Sequence, residues 1–77
     1  MVDKDNFLDR ITVNFSQCGG KPCLRGMRIR VTDVLDLLAN GLSPEDVILE
    51  LPDLEIEDVK AAIQYAAKRL NHSVLAA

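Results

Sequence analysis

The stretch LSPEDVILELPDLEIEDV, residues 42–59, decides the fold. Ser43 stands where a helix N-cap belongs, with Pro44 at the first helical position and Asp46 where a capping box puts its acid. Leu42 and Val47 have the spacing of a hydrophobic staple. Pro52 then stops this helix near Glu50 or Leu51, because the residue before a proline is driven out of helical geometry. Only the link PDLE separates it from a longer apolar-periodic run, from about Glu55 to Leu70. Two helices joined by so short a link can cross steeply, which is the helix-turn-helix arrangement.

Upstream, TDVLDLLANG reads as a first helix, with Thr32 as its cap, Asp33 in its first turn and Asn40-Gly41 ending it in the left-handed way. Downstream, Ile56, Val59, Ile63, Ala66 or Ala67, and Leu70 fall three to four apart and predict the buried stripe of the third helix. Lys68 and Arg69 suit the C-terminal end of its dipole. The expected core joins Leu35, Leu38, Val47, Ile48, Val59 and Ile63. The last residues, NHSVLAA, are expected to fray.

Before the helices the period changes to two. RITVNF alternates, with Ile11, Val13 and Phe15 on one side, and MRIRV alternates again, with Met27, Ile29 and Val31 inward and Arg28 and Arg30 outward. Between them CGGKP is a turn, and Pro22 and Gly26 keep any intervening strand short. The expected fold is therefore α+β and mainly α: one domain over residues 1–77, with a β-hairpin region at 11–31, a three-helix, helix-turn-helix-like bundle at 32–70 and a tail at 71–77.

Composition narrows the class. Of 77 residues 48% are hydrophobic at a net charge of −3, too apolar for a disordered chain. A chain this short buries only about 60% of its unfolded surface, so its stability margin is thin. Phe7, Phe15 and Tyr65 are the only aromatics, which makes the core aliphatic. No run reaches the roughly 20 apolar residues that span a bilayer. MVDKDNFLDR is too acidic and polar for a secretion signal, so a cytoplasmic setting is expected, where two cysteines are usually reduced. The charge is segregated: residues 21–30 hold four basic groups and no acid, whereas residues 31–59 hold nine acids and no base. A uniformly basic nucleic-acid binder does not look like this.

Chemistry-bearing patterns are few. A structural zinc site needs four ligands; Cys18 and Cys23 find only His72, in the tail, as a further candidate, so no metal is expected. GGKP lacks the spacing of a phosphate loop, and Pro22 removes a backbone donor, so no cofactor is expected. With one His, and no Ser or Cys beside a credible base, no enzyme is expected. The acids at 45–58 read as caps and solvated helix faces. Were DNA the target, the third helix would offer Glu57, Lys60, Ala61 and Gln64. Its first turn is acidic, which phosphates repel. Lys21, Arg25, Arg28 and Arg30 are the alternative contact, either as a ribbon that enters the major groove or as a charged edge that meets a protein.

The segments GGKPCLRGMRIRV, LLANGLSPEDVI and LPDLEIEDVKAAIQYA follow the order and spacing of a bacterial family, domain-of-unknown-function family 433, and the resemblance spans about residues 11–67. Met27 and Glu55 stand where that family usually has Thr, and Glu55 caps a helix less well than Thr, leaving Asp53 as the expected substitute. The resemblance implies a β-hairpin followed by a homeodomain-like helix-turn-helix. It also implies an antitoxin of the VapB kind, encoded beside a small PIN-fold nuclease. The expected function is thus non-catalytic binding and neutralisation of a cognate toxin, with autoregulation through DNA as an added role and dimerisation expected. A DNA-binding regulator, or a dimeric scaffold without nucleic acid, is the alternative.

Overall fold

In the computed structural model, which describes residues 7–16 and 18–70, two short strands precede three helices. Strand β1 (Ile11–Thr12) pairs antiparallel with β2 (Cys23–Leu24), Ile11 facing Leu24 and Thr12 facing Cys23. Helices α1 (Val31–Ala39), α2 (Pro44–Glu50) and α3 (Ile56–Leu70) follow. A 3-10 turn at Leu8–Arg10 lies against α3, and another spans Cys18–Gly20.

The helix ends obey local chemistry. At α2 the Asp46 N–H donates to Ser43 Oγ at 3.1 Å, and the Ser43 N–H donates to Asp46 Oδ2 at 3.4 Å, closing the expected box. Leu42 and Val47 both join the core. Helix α1 ends in a Schellman motif: Gly41 at φ 99° lets the Leu42 N–H reach the Leu37 carbonyl and its own N–H reach that of Leu38. The α1 cap departs from expectation. Thr32 lies inside the helix, and the Arg30 N–H is capped by the Asp33 carboxylate at 2.9 Å. Helix α3 is capped by neither Glu55 nor Asp53; the Asp58 carboxylate accepts the Glu55 N–H at 2.8 Å.

Leu24, Val31, Val34, Val47, Leu54, Val59, Ala61 and Ala62 form the buried centre. Leu35, Leu38 and Ile48 pack around it half-buried. Ile63 is 45% exposed, so the stripe expected on α3 is rotated by about one position: the face that points inward carries Asp58, Val59, Ala61, Ala62 and Tyr65. The aliphatic pattern misled because alanines, and one carboxylate, do the packing that longer side chains were expected to do.

The strand region is also shorter than its alternation suggests. Val13 and Phe15 are exposed, Phe15 at 92%. MRIRV is not a strand: Arg30 makes a single bridge to Cys23, and Val31 already begins α1. The cause is the tight turn Leu24–Met27, closed by the Met27 N–H on the Leu24 carbonyl at 2.8 Å, with Arg25 at φ 47° and Gly26 at φ 72°. Two successive positive φ values are what a type I′ turn requires. The expected tail, residues 71–77 with His72, lies outside the described residues. Among those described, no helix is long and apolar enough to cross a membrane.

Candidate interaction surfaces

Asp58 is fully buried in the first turn of α3, yet it stays charged because donors converge on it. Arg25 Nε donates to both carboxylate oxygens, at 2.9 and 3.1 Å, and Arg25 Nη2 donates to Oδ2 at 2.7 Å. Arg10 Nη1 reaches Oδ1 at 3.0 Å and Glu55 Oε1 at 2.8 Å. Burial by itself would raise the Asp58 pKa; the Arg25 guanidinium, the Glu55 N–H and Arg10 outweigh it and hold the carboxyl below its ordinary value. Arg25 also donates to the Asp53 carbonyl at 2.9 Å. One carboxylate thus ties three segments together: the 3-10 turn, the β-turn and the α2–α3 link. The left-handed backbone of Arg25, costly for a residue with a Cβ, is held by this grip.

The site residues expected from sequence therefore separate. Lys21, Arg28 and Arg30 are exposed, and Arg28 and Arg30 form no ion pair among the described residues. Arg25 takes part in the internal node while its side chain stays 37% exposed, so it has a structural role that the sequence reading did not foresee. On α3, Glu57 is exposed and Lys60 lies over the Phe7 ring at 5.7 Å. Ala61 is fully buried and cannot meet a base edge. Gln64 accepts the Phe7 N–H at 2.8 Å. The segment Phe7–Arg10 thus lies on the helix that a helix-turn-helix would present to DNA.

The acids resolve in the same way. Glu45, Asp46, Glu50, Asp53, Glu55 and Glu57 are exposed, as a solvated face requires; Asp58 is the exception. Amid them stands Leu49 on α2, 79% exposed. The Asp58 node was missed because its partners are 33 and 48 residues away. A local hint was present: Glu55 and Asp58 have the spacing of an N-cap and its third-position acid.

Cys18 and Cys23 were expected as separate thiols. The structure brings their sulfurs together across the loop, with Cα atoms 7.0 Å apart. Positive φ at Cys18, Gly19 and Gly20 curls the chain so that the two side chains meet. No group of three or more His, Cys, Asp or Glu among the described residues is placed to hold a metal.

A protein-family model described as "Protein of unknown function (DUF433)" matches residues 11–66. No match was found among curated proteins or solved structures.

Proposed function

From the premise that this chain belongs to the DUF433 family, we propose that it is a non-catalytic, antitoxin-like protein of the cytoplasm, which binds and neutralises a PIN-fold nuclease. The observation that carries the reading is the exposed acidic face of α2 and the α2–α3 link, centred on Leu49 and unaccompanied by any base between residues 31 and 59. A nuclease cleft that holds a polyanion is basic, and an acidic surface with one apolar side chain complements it in charge and in desolvation. The test is co-expression with the product of the adjacent gene, which the reading expects to be a small nuclease. Capture of that protein and loss of its RNA cleavage are expected. The double variant Glu50→Lys, Asp53→Lys should abolish both while leaving the helical circular dichroism unchanged. Nuclease activity that persists at saturating protein would overturn the reading.

A second reading, DNA binding through the basic loops, is favoured by the exposure of Lys21, Arg28 and Arg30. Its signature is binding to the promoter of its own gene that weakens steeply with salt and is lost in Arg28→Glu, Arg30→Glu.

A further inference from the structure

An apolar groove runs between the N-terminal half of α1 and the C-terminal half of α3. Pro22, Leu35, Tyr65 and Ala66 line it, and Lys21 and Arg69 stand at its rim. Its volume is about 190 Å³. The Arg69 guanidinium lies 6.0 Å from the centre of the Tyr65 ring, which holds a cation beside the apolar lining. Helix α2 offers the inverse: Leu49 projects into solvent with Glu45 one turn before it and Glu50 beside it, both exposed. One surface is an apolar recess with basic edges, and the other is an apolar knob with acidic edges.

We propose that the groove takes Leu49 of a second copy of this chain. The knob cannot enter the groove of its own chain, because Val47 on the same short helix is locked in the core and fixes α2 facing outward at Leu49. Contact between copies is therefore the way the two surfaces meet. Desolvating Leu49 supplies the apolar contribution, and Glu45 and Glu50 against Lys21 and Arg69 fix the orientation. A two-fold pair makes the contact twice and uses both surfaces of both chains. The inference goes beyond the antitoxin reading and does not rest on it; a toxin that takes the Leu49 face would compete with the second copy, so toxin binding would open the pair.

Sedimentation equilibrium of the purified full chain tests it, with circular dichroism as a control on folding. The wild-type mass should rise with concentration toward that of a dimer. Leu49→Ala, which changes no charge, should weaken association by at least about tenfold, as loss of a central apolar anchor does. Glu45→Lys, Glu50→Lys should weaken it, and so should Lys21→Glu, Arg69→Glu. The variant that carries all four reversals should associate again, because its knob is then basic and its groove acidic. A wild type that stays monomeric, a Leu49→Ala variant that associates unchanged, or four reversals that fail to restore the pair would each overturn the proposal. So would association that appears only once residues 71–77 are removed, which would assign the groove to the chain's own tail.

Discussion

The Asp58 node and the outer face of α2 are built from the same chemistry and behave in opposite ways. At Asp58 one carboxylate is fully buried and both oxygens are met by Arg10, Arg25 or the Glu55 N–H. On α2, Glu45 and Glu50 keep their water. The difference teaches where charge holds a small domain together and where it remains available. Exposed pairs contribute about 0–1 kcal/mol, whereas a buried charge must keep its partners or unfold its surroundings. Asp58 thus belongs to the fold, and the acids of α2 stay free for the contact proposed for them.

The comparison breaks most readily at the core that both regions share. Leu24→Ala should cost about 2–5 kcal/mol in urea denaturation, since Leu24 is fully buried and anchors the turn that carries Arg25. Next comes Asp58→Ala, expected to cost about 3 kcal/mol, the lower end for a broken buried pair, because Arg10 and Arg25 keep part of their surface in water. Asp58 also gives the domain an acid limb. Its folded pKa lies below the ordinary value, so its contribution is complete above the unfolded pKa near 4. That contribution is lost as pH falls through the lower, folded value. Asp58→Asn should flatten this limb of a stability–pH curve; an unchanged limb would mean that other acids govern it.

Ile63→Ala should cost less than about 1 kcal/mol, because nearly half of that side chain is already in water. A loss of several kcal/mol would restore the stripe first read from sequence. Smallest of all, Arg28→Glu, Arg30→Glu should leave stability within about 0.5 kcal/mol. If that double variant unfolds the domain, these arginines belong with Arg25 in the fold rather than among the free surface charges.

What could be read from the sequence was what short-range chemistry writes. Ser43, Pro44 and Asp46 set the start of α2, Asn40-Gly41 set the end of α1, and Pro52 set the end of α2, each through contacts within a few residues. The order of hairpin and helices followed. Three things were not legible. The phase of α3 depends on which neighbour its alanines meet. The fate of MRIRV depends on Arg25 accepting a left-handed backbone. The role of Arg25 depends on an acid that appears 33 residues later. Of the residues proposed for contact, Lys21, Arg28 and Arg30 could be found by exposure-favouring charge alone, whereas Leu49 looked like one more helix leucine and its exposure shows only once Val47 and Ile48 have taken the inner face.

The hydrogen bond from Phe7 to Gln64 spans 57 residues, and the Arg10–Asp58 pair spans 48. During synthesis, Phe7 and Arg10 therefore wait for partners made 57 and 48 residues later. The first two helices carry their own end signals, but both pack on α3, and the N-terminal segment likewise has no surface to settle on until α3 has been made. Joining such distant positions is a slow kind of step, set by loop closure rather than by helix formation. A ribosome stalled before Asp58 would carry an unfinished domain, with Arg10 and Arg25 still lacking the one carboxylate that both of them need.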